Sequence, residues 1–400
     1  MESISPVVLV SCGNRKLNVP AAAKDLYVSP RFREARKFAE LYGDKWFIIS
    51  AKHGLVAPDE IVSPYDLDLQ TLSPRDRKAW AARVLSDLSK MDLMGKRVVV
   101  LATDAYSDML RDGLKKEKVV VTYPFSELPP GAEEDLLVRV NGNPTRLNHY
   151  QHFYDLLMRL QKMPGQMVPF TELDGKRLSK AGVYFFFDRH ELARFYREQT
   201  LRVIRVGTHG VSKGSKSLLW TRLRTHRGND DGTGSHRSSI FRLHVGNAIL
   251  ASQGREMLSW GVGDNASRET RDSEQQMETE VSQYLKDLLV AYLPVVDAAS
   301  ADSDRSYIEK NSISLLTGGG AIDVQSRRWL GNFSPTHQIR ASGLWNVNYV
   351  GDSYDPGFLS VFEELIRRYE QGDFSEKSLA PSNWRLHMQR GVIGQHQLFK

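Results

Sequence analysis

Between residues 182 and 309 of this 400-residue chain lie side chains suited to breaking a phosphate ester. Tyr184 follows Gly182 in GVYFFF. Arg205 and Gly207 end the apolar run RVIRVG. Arg222 and His226 stand four apart in WTRLRTH, a spacing that puts both on one face of a helix. His236 and Arg237 lie across a polar loop, and Glu309 sits among apolar neighbours in SYIEKNSISLL. Arginine supplies cationic donors to phosphate oxygens. Tyrosine and histidine supply groups that take a proton from water. A hard cation such as Mg²⁺ needs oxygen ligands and accepts only one or two from protein. Together these residue types make a phosphodiester-cleaving set.

A second group gathers near the N-terminus. One apolar run ends in Ser11, Cys12, Gly13, Asn14, Arg15 and Lys16, and another in Ser50, Ala51, Lys52, His53 and Gly54. Tyr27 and Ser29 lie between them. Tyr65 and Asp66 follow, and a third run ends in Thr103 and Asp104. At the edge of a wound sheet these residues form a pocket of hydroxyls, amines, a histidine and carboxylates. The expected ligand is a base or nucleotide, contacted by Cys12, Asn14, Lys16, Tyr27, Ser50, Lys52, His53, Tyr65, Asp66 and Asp104. An acid such as Asp66 or Asp104 also allows an N-glycosidic cleavage, by analogy with oxocarbenium chemistry.

The elements that must hold these groups follow from periodicity. VVLVSC (7–12), KWFIISAKHG (45–54, running into a polar loop), KRVVVLATD (96–104) and KVVVTYPF (118–125) read as strands, with helical patterns at 29–43, 73–91 and near 105–115 between them. Alternation of this kind predicts a wound, largely parallel sheet whose site lies at the carboxyl ends of its strands. Residues 1–140 form this α/β domain, and 141–168 form a helical linker. Residues 169–370 form a second, α+β domain, with strands at 182–187 and 202–207 and helices at 217–227 and 306–316. The run 273–293 reads as one long helix. Residues 371–400 read as a tail.

Composition fits a folded soluble chain: 41% hydrophobic and 26% charged. No run approaches the ~20 apolar residues of a membrane span. One cysteine excludes an internal disulfide and a thiolate zinc cluster, and a cytoplasmic protein is expected. The net charge is +6, yet residues 170–250 alone hold 15 Lys/Arg against 7 Asp/Glu. Local basicity of this kind is the footprint of a phosphate-rich partner. Arg205, Arg224, Arg227 and Arg237 are the expected DNA contacts.

The ordered set Gly182-Val183-Tyr184, Arg205-Val206-Gly207, Arg222 with His226, and a later helical Glu309 resembles the GIY-YIG endonuclease family over roughly residues 175–335. Arg205 stands where that family usually has a tyrosine. The resemblance implies one-metal hydrolysis of DNA. Tyr184 activates water with His226 or His236, Arg222 neutralises charge on the phosphate, and Glu309 holds Mg²⁺ or Mn²⁺. Glu278 and Glu280 compete for the role of Glu309, and Asn311 and Asn332 for that of the family's asparagine. The resemblance also makes a homodimer an expectation. Residues 5–130 resemble an uncharacterised bacterial family marked by SCGxxK, LYxSxxF and SAKHGL and linked to nucleic-acid processing. The combined expectation is a DNA endonuclease whose first domain recognises or excises a modified base, in defence against foreign DNA. The rival expectations are a repair enzyme for damaged bases and a non-catalytic nucleic-acid binder.

Overall fold

The computed structural model describes residues 6–386, apart from Asp92, Met94, Lys118, Arg177 and Glu198. Strand β1 (Val7–Ser11) is buried along its whole length, which is why its sequence is continuously apolar rather than alternating. A short β2 (Ala21–Ala22) and α1 (Ala23–Leu26) lead to α2 (Pro30–Tyr42), which starts with proline at its first turn and stops at Gly43. Then come β3 (Lys45–Ser50), β4 (Gly54–Val56) and β5 (Ile61–Val62). Helix α3 (Pro74–Ser89) is capped by Ser73, whose hydroxyl accepts the Asp76 amide. The remaining elements are β6 (Arg97–Leu101), α4 (Asp104–Lys116), β7 (Val120–Thr122) and α5 (Ala132–Gly142).

The main sheet has the order β4-β3-β1-β6-β7. β1 pairs in parallel with β3 and β6, and β6 with β7; only β4, at one edge, runs antiparallel. The connection from β1 to β3 steps one way across the sheet, and that from β6 to β7 steps the other way. Right-handed crossovers therefore place α2 and α4 on opposite faces. α2 packs on α5, and α3 on α4. The described residues of the compact unit containing this sheet are 6–147 with 192–200 and 324–327. This is the expected wound, largely parallel α/β architecture.

Helix α6 (Pro144–Gln161) carries the chain into the second unit, whose described residues are 148–191, 201–323 and 328–386. Residues 387–400 of the expected tail lie outside the described residues. The second sheet joins β8 (Val168–Pro169), β9 (Gly182–Leu192), β10 (Leu201–Gly207) and β11 (Leu289–Pro294) in the order β10-β9-β11-β8. β9 and β11 are antiparallel, with Tyr184 opposite Tyr292. Tyr184 and Phe186 face a core shared with Phe170, Ile204 and Phe241. Phe185 points the other way, onto Phe153 and Phe362. Both faces are covered, so GVYFFF is apolar throughout.

The helices of this unit are α7 (Leu219–Arg227), α8 (Ile240–Ser252), α9 (Arg268–Lys286), α10 (Asp304–Thr317), α11 (His337–Ser342) and α12 (Phe358–Glu370). The expected long helix 273–293 is corrected. α9 ends at Lys286, and Leu289–Pro294 is a strand. LVAYLP is apolar at every position and fills the sheet between β9 and β8, where pairing and burial outweigh helical periodicity. Among the described residues no helix is long and apolar enough to cross a membrane.

Candidate active site

Tyr184 projects from β9 onto the side of the sheet carrying α7. Its hydroxyl lies 3.0 Å from Nε2 of His226. The other imidazole nitrogen, Nδ1, lies 2.7 Å from Oγ of Ser239, the residue that caps α8. His226 is fully buried, and burial, reinforced by Arg205, Arg222 and Arg242, holds it well below its ordinary pKa. The ring is therefore neutral at pH 7 and carries one proton for its two partners.

Gly207 makes this arrangement possible. A Cβ there would come within 2.3 Å of the Tyr184 hydroxyl, so only glycine lets the tyrosine lie flush against the end of β10. The neighbouring backbone is held by a segment that sequence inspection did not associate with it. Asn346 accepts the Val206 amide at 3.0 Å and donates to the Val206 carbonyl at 2.8 Å. The Trp345 amide donates to Ile204. β10, an edge strand, thereby gains a partner along its free side.

Arg205 is corrected from a DNA contact to an interior group. It is 6% exposed, donates to the Trp345 carbonyl at 2.5 Å, and stacks its guanidinium 4.6 Å from the Phe241 ring centroid. Burial lowers its pKa, while Tyr184 and Glu309 pull in the opposite direction. Its cation thus lies against the Tyr184 oxygen, in the place where the family resemblance calls for a second tyrosine.

Glu309 comes to the same place from α10. Burial pushes its carboxyl up to about 7, opposed by Arg205, the Thr208 amide and Arg222. Arg222 is partly exposed, and among the described residues no ion pair or hydrogen bond holds its guanidinium. An open cavity of about 290 Å³ begins beside Arg222, walled by His236, Ile240, Leu243 and the backbone of Gly261 and Gly263. Sequence inspection also missed His209, buried close to Arg305 and Arg222 and pushed down to about 4 by burial.

The competing acids are occupied elsewhere. Both Glu278 oxygens are taken, one by the His236 amide and Nδ1 and the other by the Arg242 guanidinium. Glu280 pairs with Arg255. The structure does not bring His236 to Tyr184. Its Nε2 accepts the Gly261 amide, its Nδ1 faces Glu278, and its ring stacks on Trp260 at 3.8 Å. With both nitrogens committed, His236 has no free site for a proton from water. Arg237 is likewise turned inward, in a two-bond pair with Glu274. Arg227 lies over Trp220 and donates to the Thr171 and Leu173 carbonyls, while Arg224 is exposed.

Among the described residues no group of three or more His, Cys, Asp or Glu is placed to hold a metal ion. A single partly buried carboxylate fits an ion that keeps most of its waters, as Mg²⁺ and Mn²⁺ do, and does not fit one that needs an all-protein cage. Asn311, on the same helix, is spent on the Tyr307 carbonyl and the Asp355 amide.

In the first unit the expected pocket residues converge in part. The Tyr65 hydroxyl lies 2.7 Å from Ser50 Oγ and 3.0 Å from the Tyr27 hydroxyl. Lys16 and Lys52 place their ammonium groups 4.4 and 5.7 Å from the Tyr65 ring centroid, and His53 meets the same ring edge-on. Cys12 Sγ lies 3.3 Å from the Tyr106 hydroxyl. Asn14 and Asp66 are exposed, and Asp104 accepts the Glu127 amide at the start of α4.

Comparison with known proteins agrees with this geometry. Residues 7–139 match a model described as a family of unknown function, DUF6884. Over 100 residues the chain is 30% identical to an uncharacterized protein, YfjM, of Bacillus subtilis (strain 168), covering 22% of this chain and 67% of the relative. No solved structure matches. A model of the GIY-YIG domain matches residues 144–372, which is more than half of the chain and contains every element that carries the Tyr184 site. The chain therefore belongs to the GIY-YIG family and is an endonuclease by that membership.

Proposed function

We propose that this protein hydrolyses DNA phosphodiester bonds with the help of a divalent cation, and that its first unit selects DNA carrying modified bases. The observation that carries the nuclease reading is the convergence of Tyr184, Arg205, His226, Arg222 and Glu309 from β9, β10, α7 and α10.

Glu309 would hold Mg²⁺ or Mn²⁺, which when bound polarises a non-bridging oxygen and relieves charge on the leaving oxygen. The exposed face of Arg222 meets the scissile phosphate and offsets its developing charge. The cavity beside Arg222 receives the neighbouring nucleotide. Tyr184 and His226 take the proton of the attacking water as a pair. The water proton passes to the Tyr184 oxygen while the Tyr184 proton passes to neutral His226. Arg205 holds the phenol oxygen in place for this transfer.

For the first unit, recognition is favoured over base excision. Hydroxyl and ammonium groups surround Tyr65, whereas Asp104 is tied to a backbone amide and Asp66 is exposed. A recognition unit joined to a nuclease suits defence against foreign DNA with altered bases. The test is a nicking assay with Mg²⁺ or Mn²⁺ on unmodified plasmid, unmodified phage DNA and base-modified phage DNA, with abasic sites scored by alkali. Cleavage of modified DNA that is lost in Glu309→Ala, without abasic sites, supports both parts. Abasic sites persisting in Glu309→Ala and lost in Asp104→Ala overturn the recognition reading. Absence of cleavage on every substrate, with binding retained, overturns the nuclease reading.

A further inference from the structure

We infer that the first unit carries a binding site for a phosphate monoester group of a nucleotide, at the turn after β1 and the start of α2. The inference deepens the recognition role proposed for this unit and is independent of the nuclease chemistry.

Topology gives the place. In the sheet order β4-β3-β1-β6-β7, the chain leaves β1 toward one side and β6 toward the other. A crevice opens between the carboxyl ends of two such strands, and ligands of wound sheets bind there. Cys12 after β1 meets Tyr106 of α4, which follows β6, across this position.

The start of α2 gives the chemistry. Its cap residue is Ser29, yet the Ser29 hydroxyl caps no amide of the helix. Pro30 has no N–H, so the first-turn donors are the amides of Arg31 and Phe32, which have no intrahelical acceptor. The Ser29 hydroxyl is itself buried without a hydrogen-bond partner, in a residue only 7% exposed. A buried donor without an acceptor costs free energy, and such groups normally have a partner. Gly13 brings the turn after β1 against this hydroxyl: a Cβ on Gly13 would lie 2.6 Å from Ser29 Oγ. The turn is pinned in place. Lys16 bridges to Tyr27, and the Val28 amide donates to the Arg15 carbonyl.

Charge completes the argument. Helix starts attract anions through their free amides and the helix dipole. Lys16 sits beside this turn with its ammonium 4.4 Å from the Tyr65 ring centroid, and the Lys52 ammonium lies 5.7 Å from the same centroid. Among the described residues neither lysine has a carboxylate partner. The aromatic ring of Tyr65 beside them suits a base attached to the phosphate. The phosphate could belong to a free mononucleotide or to the 5′ end of a DNA strand, and the experiment separates these sources.

The experiment is calorimetric titration of the full chain in EDTA, which holds cleavage silent. The probes are inorganic phosphate, the four deoxynucleoside monophosphates, the matching nucleosides, and one oligonucleotide with and without a 5′-phosphate. The expected result is that the phosphate group tightens binding of a nucleotide over its nucleoside by about tenfold or more, as charge-assisted bonds do. Lys16→Gln and Ser29→Ala should each remove most of that gain. Ser29→Ala should leave the Tm of the free protein unchanged or raised, because it deletes an unsatisfied hydroxyl. A hydroxyl with a purely structural role would instead lower Tm and leave binding alone. If only the phosphorylated oligonucleotide gains affinity, and the gain is lost in Ser29→Ala, the site takes DNA ends. Equal binding of nucleosides and nucleotides overturns the phosphate site while leaving base recognition standing. No binding by any phosphate-bearing probe, or gains unaffected by both substitutions, also overturns it.

Discussion

The Tyr184 hydroxyl and Nε2 of His226 are 3.0 Å apart inside the protein, with the far nitrogen of the same ring 2.7 Å from Ser239. The neutral imidazole can give one proton and accept one. If Nδ1–H donates to Ser239, then Nε2 accepts from Tyr184, and the phenol is already aligned to release its proton toward the ring. Arg205 lies against the same phenol oxygen.

Tyr184→Phe removes this relay. Single-turnover cleavage should fall by ~10²–10⁴, the usual range for a positioned acid–base group. The change leaves a fully buried imidazole nitrogen without its partner, at a cost of about 1–3 kcal/mol. Urea unfolding measures that cost separately. Cleavage within about threefold of wild type would assign water activation elsewhere.

Gly207→Ala pushes a methyl into the Tyr184 hydroxyl. The tyrosine must move, and the 3.0 Å contact with His226 is lost. Cleavage should drop nearly as far as in Tyr184→Phe, with DNA affinity in EDTA changed little. The double variant should be no slower than the worse single one, because both act on one hydrogen bond.

Glu278 holds His236 on one oxygen and Arg242 on the other. Glu278→Ala leaves the buried Arg242 cation unpaired and should cost ~3–5 kcal/mol. His236 and Arg242 hold the Glu278 carboxyl below its ordinary value despite burial. The stabilisation is therefore present above pH 4.5 and is lost as pH falls through the lower folded value. His236→Asn should lower Tm yet retain cleavage per folded molecule at low temperature. Loss of cleavage by a hundredfold in a folded His236→Asn protein would return that histidine to the chemistry.

Three histidines of the second unit are held uncharged, His226 and His209 buried and His244 partly buried. His226 is held well below 6.5, and burial brings His209 and His244 to about 4. Below pH 6.5 the unfolded chain takes up protons that these rings in the folded state refuse. Stability should therefore be fully present above pH 6.5 and fall as pH drops toward 4, by on the order of 1–3 kcal/mol for each of His209 and His244, with His226 acting in the same direction. Denaturant titrations at pH 8, 6 and 5 check this. A flat profile across that window would mean that the rings titrate normally.

Residue patterns within short windows specify the local pieces. The apolar runs gave the strands, and Arg222 and His226 lie on one helix face because four residues make about one helical turn. Glu309 was legible as a helical acid among apolar neighbours, and the alternation of strand and helix specified the wound sheet. Tertiary structure decided what each polar group faces. His236 and Arg237 look catalytic or DNA-binding in isolation, but their partners Glu278 and Glu274 stand 42 and 37 residues away on α9. Arg205 reads as a surface cation until Trp345 and Phe241 enclose it. Asn346, which clasps β10, lies 140 residues from it. The break between α9 and β11 follows from strands on both sides, which no local period contains. Local periodicity sets which residues form an element. Burial and pairing across long sequence separations set whether a charged side chain is spent inside the fold or left free for a phosphate.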